Sequence, residues 1–79
     1  MTKLKPGSVV VLTALPPGLL DGLPEEDQRT ISEIVGKRIL LVDYDDDGRA
    51  ELEFKDSQGI IHFIYVASEF IRPATPGKP

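Results

Sequence analysis

The chain has 79 residues, of which 41% are hydrophobic and 28% charged, so it has room for one folded domain with a small core rather than a disordered segment. Its net charge is −4 and its nine Lys and Arg residues are scattered along the chain, which argues against direct binding to DNA or RNA. It contains no cysteine, and this excludes disulfides and thiolate zinc sites within the chain.

The sequence shows no sign of a membrane segment. Its first residues, MTKLKPGS, are charged and lack the apolar stretch of a signal peptide. No apolar run approaches the length needed to cross a bilayer. The lack of cysteine fits a reducing cytoplasm, so we expect a small bacterial protein of the cytoplasm with no membrane partner.

The first half of the chain predicts a strand, a long loop and a helix. Residues 9–12 (VVVL) form a β-branched run that is typical of a strand. The segment ALPPGLLDGLP follows, and its prolines and glycines exclude regular structure. Pro24 then suits the first position of a helix over 24–35, with acidic residues near its start and Gly36 as its stop. Its apolar positions fall on one face, and they are Ile31, Ile34 and Val35.

The second half predicts a series of strands joined by short turns. Residues 38–44 form an apolar run, residues 49–55 alternate apolar and polar side chains, and residues 60–66 (IIHFIYV) form another apolar run. A single helical turn over 67–70 leads into a last strand at 70–72. We therefore expect one domain over 1–72, followed by a flexible proline-rich tail over 73–79.

The acidic segment 43–47 resembles the start of an EF-hand calcium loop, D-x-D-x-D-G. Such a loop requires a bidentate glutamate at its twelfth position, and counting from Asp43 that position is Phe54. Its flanks also read as strands rather than helices, and Asp47-Gly48 is a strong hairpin signal. We interpret this segment as a hairpin turn, and leave open a weak association of divalent ions with its aspartates.

The order of elements describes a mainly β fold, a single small five-stranded barrel with one α-helix inserted after the first strand. In this respect the sequence resembles the SH3-like barrels, through KPGSVVVL at the first strand and SEFI before the last. It is most similar to the electron-transport accessory type. Those barrels include a stromal subunit of photosystem I, the variable chain of ferredoxin–thioredoxin reductase and a domain of nitrile hydratase. The matching segments are Ile34-Val35-Gly36 leading into LLVDYDDDG, then EFKD, then YVASEFI.

Candidates for catalysis are few. His62 is the only histidine, which excludes a multi-histidine metal site within one chain. No serine or threonine stands in a context that activates a nucleophile, and no phosphate-binding loop is present. A plasmid-borne trimethoprim-resistant dihydrofolate reductase is also a small barrel, but its V-Q-I-Y stretch is not reproduced in residues 61–65. We therefore expect a protein that is not an enzyme and binds no cofactor or metal.

Several strands are apolar on both faces, most clearly residues 60–66. A barrel interior takes only one face of each strand, so we expect the helix to cover part of the excess and the remainder to form a protein–protein surface. The residues predicted for this surface are His62, Ile60, Ile64, Tyr65, Tyr44, Leu19 and Leu20.

The sequence thus predicts a non-catalytic interaction or accessory module. Its partner is another protein or a second copy of the chain in a homodimer. The alternative is a small-molecule binder or an enzyme whose site forms between subunits of a homo-oligomer, around His62, Tyr65 and Tyr44.

Overall fold

The computed structural model of the chain describes residues 4–74. The elements in this range are β1 (Val9–Leu12), α1 (Glu25–Glu33), β2 (Arg38–Tyr44), β3 (Ala50–Lys55), β4 (Ile61–Val66), a 3₁₀ turn (Ser68–Phe70) and β5 (Ile71–Pro73). The predicted strands and the helix after the first strand are confirmed. The short helical turn before the last strand is present as well.

All of these strands belong to one antiparallel sheet in the order β4-β3-β2-β1-β5. The first and last strands are neighbours, because Val11 of β1 lies opposite Arg38 of β2 on one side and Arg72 of β5 on the other. Within residues 4–74, β4 and β5 form the two edges and do not pair with each other. The structure is therefore a mainly β fold with one helix, and its sheet is not closed into the barrel that the sequence predicts.

One face of the sheet, called here the inner face, forms the hydrophobic core together with the helical segment. Alternate residues of each strand point to this face, since successive side chains along a strand lie on opposite sides. Ile31 and Ile34 belong to the same buried cluster, so the core lies between a sheet and a helix. The most completely buried side chains, each at most 1% exposed, are Val10, Leu12, Leu41, Ala50, Leu52 and Val66.

The helix ends two residues earlier than the sequence predicts. It begins after Pro24, and the first turn carries three acidic residues that favour the positive end of the helix dipole. Beyond Glu33 the chain pairs with β1: Val35 forms a parallel bridge with Leu12, and the Gly36 N–H donates to the Leu12 carbonyl oxygen at 2.9 Å. This pairing ends the helix, and Gly36, with a φ of +86°, turns the chain into β2.

A β-bulge at Val42 interrupts β2, where its register with β3 shifts. Before the bulge the inward-facing residues are Ile39 and Leu41, and after it the inward position moves to Tyr44. The Tyr44 hydroxyl donates a hydrogen bond to the carbonyl oxygen of Leu4 at 2.8 Å. The bulge thus allows a tyrosine to tie the segment before β1 to the middle of the sheet.

The predicted tail over 73–79 begins too early. Pro73 is the last residue of β5, opposite Val10 of β1. The N–H of Ala74 donates to the carbonyl oxygen of Val9 at 3.1 Å. The ladder with β1 therefore reaches residue 74, and the rest of the predicted tail, residues 75–79, lies outside the described residues.

Candidate interaction surface along strand β4

The two hairpin turns on either side of β3 are built in the same way. Each has the sequence Asp-x-x-Gly-x, over residues 45–49 and 56–60. In each turn the glycine N–H donates to the carbonyl oxygen of the aspartate at 3.0 Å, and the φ angles of Gly48 and Gly59 are +82° and +81°. This is a type I turn followed by a left-handed residue, a common three-residue hairpin loop. The acidic segment 43–47 is thus part of a hairpin, as predicted.

Asp45 holds the first turn together. Its Oδ1 accepts hydrogen bonds from the N–H groups of Asp47 at 3.0 Å and Arg49 at 2.8 Å, and its Oδ2 accepts one from the Arg49 guanidinium at 2.8 Å. Burial opposes the charged form of Asp45, but the bonds from the Arg49 backbone and guanidinium outweigh this effect and lower its pKa below the ordinary value. The carboxylate is therefore ionised at neutral pH and engaged within the turn.

Asp56 accepts the equivalent backbone hydrogen bonds in the second turn and also contacts a side chain of β4. Its Oδ1 accepts the N–H groups of Gln58 at 2.8 Å and Ile60 at 2.9 Å. Its Oδ2 lies 2.9 Å from Nε2 of His62, and because a carboxylate only accepts, Nε2 carries the proton. The bond from His62, followed by that from the Ile60 N–H, lowers the pKa of Asp56 below its ordinary value.

His62 is fixed on a second side by an aromatic stack. It lies directly opposite Phe54 in the β3–β4 register, and the two rings are 5.4 Å apart between centroids and inclined by 14°. Such offset pairs add to the stability that comes from burial alone. His62 is therefore half-buried on the inner side of β4, held at its edge by Asp56 and on its face by Phe54.

The outer face of β4 carries a row of exposed apolar side chains. Ile61, Phe63 and Tyr65, called here the β4 strip, are 47%, 52% and 44% exposed. Burying a large apolar side chain contributes about 1.5–3 kcal/mol, so the strip leaves a substantial free energy of burial unrealised. A contiguous apolar row of this kind marks an interaction surface more often than isolated exposed residues do.

The helix does not cover this row. The sequence suggests that the helix shields apolar side chains left outside the sheet, but Ile31 and Ile34 pack with the inner-face core instead. The inner face of β4 takes Ile64 and Val66 into the same core. The two sides of β4 therefore differ completely: one is part of the core beneath the helix, and the other faces solvent.

The backbone of β4 is also exposed on one side. The N–H of Asp56 donates to the carbonyl oxygen of Ile60 at 3.0 Å, and hydrogen-bonded pairs alternate with non-bonded pairs along an antiparallel ladder. His62 and Ile64 therefore bond to β3, whereas the N–H and C=O groups of the β4 strip point away from it. Within residues 4–74, β4 pairs with β3 alone.

A groove of about 260 Å³ runs beside β4. Its β4 side is formed by His62, Phe63 and Ile64, and its other side by Leu19 and Leu23 of the loop after β1 and by Asp27 and Ile31 of the helix. The lining, called here the β4 groove, is mostly apolar. The carboxylate of Asp27 is half-buried in its wall and forms no hydrogen bond or ion pair with the other described residues.

The residues predicted for an interaction surface fall into three groups. His62 and Leu19 line the β4 groove, while Tyr65 belongs to the β4 strip and Ile60 is exposed just before it. Leu20 and Tyr44 are half-buried and pack against the core. Ile64 is only 7% exposed and belongs to the core, and it also lines the β4 groove beside His62.

Sequence reasoning did not single out Ile61, Phe63, Asp27 and Asp56 in this region, nor Leu23 of the groove. Strand alternation separates the first two from Ile64, but it does not say which set is buried. The aspartates carry a weaker signal. Asp56 opens the second of two Asp-x-x-Gly turns, and that repetition is visible in the sequence, whereas nothing local links Asp27 to β4.

Comparisons with protein-family models, with curated proteins and with solved structures found no match to this chain. No helix in residues 4–74 is long and apolar enough to cross a membrane. The same residues contain no group of three or more His, Asp or Glu side chains placed to hold a metal ion.

Proposed function

We propose that this chain is a non-catalytic protein-interaction module that docks a protein partner along the β4 strip. The observation that supports this is the exposure of Ile61, Phe63 and Tyr65, each close to half exposed on one face of one strand. Interface cores are enriched in aromatic side chains and poor in charge, and the strip has both properties.

We also propose that the sheet is an open form of an SH3-like barrel, of the electron-transport accessory type that the sequence resembles. The pairing of β1 with β5 supports this, because it places the first and last strands side by side in a strongly connected sheet. The 3₁₀ turn between β4 and β5 supports it as well. Proteins of that type serve as accessory parts of larger assemblies, which agrees with a docking role.

The test is to pan a library of short random peptides, displayed on phage, against the immobilised chain. We expect enriched peptides whose binding falls at least about tenfold with Phe63→Glu, because interface energy concentrates in central aromatic residues. The matched control is Val9→Glu. Val9 is 49% exposed but lies on β1, three strands from β4, so its substitution leaves binding intact.

Sedimentation velocity on the same samples completes the test. Self-association that Phe63→Glu abolishes also supports the proposal, with a second copy as the partner. A chain that stays monomeric at high concentration and enriches no more peptides than an unrelated protein would show that the strip is not a docking surface.

A further inference from the structure

β4 combines an exposed backbone edge with an adjoining groove, and each feature selects the same kind of occupant. The outward-pointing N–H and C=O groups of Ile61, Phe63 and Tyr65 are arranged to continue the sheet by one more strand. On the inner side of that edge lies the β4 groove, lined by Leu23 and Ile31. A strand added here has alternate side chains beside the β4 strip and over the groove.

The two edges of the sheet differ in how they are protected. β5 is only three residues long and ends in Pro73, which has no N–H to offer. β4 is six residues long and contains no proline and no Lys, Arg, Asp or Glu. Short strands, prolines and charges are the usual means of blocking an edge from pairing. β5 has all three, since it also contains Arg72, and β4 has none of them.

The charges around β4 favour a cationic occupant over a second copy of the chain. Asp27 lies in the groove wall without a partner among the described residues, and Glu53 lies opposite Phe63 on the neighbouring strand. The cations near the strip are at its two ends: Lys55 lies opposite Ile61, and Arg49 is 6.0 Å from the ring of Tyr65. The unmatched charge is therefore negative on both sides of β4, with Asp27 in the groove wall and Glu53 beside the β4 strip.

A second copy offers the wrong charge at this position. The chain has a net charge of −4, and pairing two β4 edges about a twofold axis would bring together the two copies of Asp27, each of which lies beside its own β4. Like charges brought together in this way disfavour association. An apolar segment with a lysine or arginine meets the same surface without that penalty.

We propose that β4 binds an extended peptide as an additional strand, with apolar side chains over the β4 groove and one Lys or Arg side chain paired with Asp27. This rests on the proposed function and specifies the partner's chemistry. The peptide's hydrogen bonds are made to the backbone of the β4 strip, and its outward side chains lie beside Phe63. Its selectivity comes from the groove, where the half-buried carboxylate of Asp27 accepts a charge-assisted hydrogen bond.

The probe is a labelled, capped peptide, Leu-Val-Lys-Val-Leu-Thr, whose Leu, Lys and Leu lie on one face when it is extended. The matched peptide carries Glu in place of Lys. Fluorescence anisotropy against the full chain should show the Glu peptide binding at least about tenfold more weakly. Asp27→Asn should weaken the Lys peptide severalfold, while Glu26→Gln should not. Glu26 lies in the same helical turn but outside the groove.

Amide hydrogen exchange by NMR tests the strand addition itself. With the Lys peptide bound, the amides of Ile61, Phe63 and Tyr65 should exchange at least about tenfold more slowly. Those of His62 and Ile64 should change little, because they already bond to β3. A loss of stability caused by the Asp27→Asn substitution alone would not produce this alternation between neighbouring amides.

The outcomes separate this inference from the proposed function. Peptide binding without added protection of the three strip amides overturns strand addition, and equal binding of both peptides overturns the role of Asp27. In both cases a Phe63-dependent partner from the phage library still supports a docking surface. If the strip amides are already protected in a dimer without peptide, the edge pairs with a second copy and the inference is overturned. The inference is also overturned if neither peptide binds.

Discussion

Ile31→Ala should destabilise the protein strongly, because this residue anchors the helix on the sheet. Ile31 is 5% exposed and is the only buried residue of α1 itself. Replacing a buried isoleucine by alanine costs about 2–5 kcal/mol. A domain of this length has roughly 4–12 kcal/mol of total stability, so the loss is a large fraction of it. The helix has nine residues, too few to persist without its packing.

Urea and thermal denaturation followed by circular dichroism measure this loss. Each kcal/mol shifts the melting temperature of a domain this size by about 4–8 °C, so Ile31→Ala should melt at least about 8 °C below the wild-type chain. Arg29→Ala is the control, since Arg29 is exposed on the same helix and surface changes usually stay within about 0.5 kcal/mol. If both variants melted together, the helix would not be held on the sheet by Ile31.

Two further results are expected from the hairpins. The pKa values of Asp45 and Asp56 are lowered in the folded chain. Their stabilising effect is therefore present above the unfolded pKa of about 3.9 and is lost as pH falls through the lower native values. Urea midpoints should fall across this acid range, and Asp56→Asn should make the midpoint depend less steeply on pH. Glu51→Lys should raise the free energy of unfolding by about 0.2–1 kcal/mol, and the urea midpoint with it, because Glu51 lies opposite Asp43 and like charges directly opposed destabilise a sheet. Unchanged or lower stability would contradict that register.

Local sequence signals predict the strands well. The bounds of β1 and β2 agree with those expected from the sequence, and β3 and β4 begin one residue later. The reason is that turn residues and alternation act over a few positions: Gly48 and Gly59 adopt the positive φ that their hairpins require. Where a boundary depends on a distant partner, prediction fails. The end of α1 is set by Leu12, more than twenty residues earlier in the chain.

The candidate site is less predictable because it joins distant segments. The β4 groove brings Leu19, Leu23 and Asp27 beside β4, and no local pattern encodes that approach. The bulge at Val42 has a similar effect, since it changes which side of β2 faces the core. The sequence alone therefore shows that β4 has apolar residues on both faces, but it does not show which face is buried in the core.

The second hairpin resolves this ambiguity in the folded chain. Side chains alternate with a period of two, so a slip of β4 by one residue exchanges the β4 strip with His62, Ile64 and Val66. Both sets are largely apolar, and the hydrophobic pattern alone specifies the register poorly. The Asp56 turn and its contact with His62 exist in only one register, and the stack on Phe54 agrees with it. The hydrogen bonds of Asp56 at the start of β4 thus fix the register in which Phe63 faces the solvent.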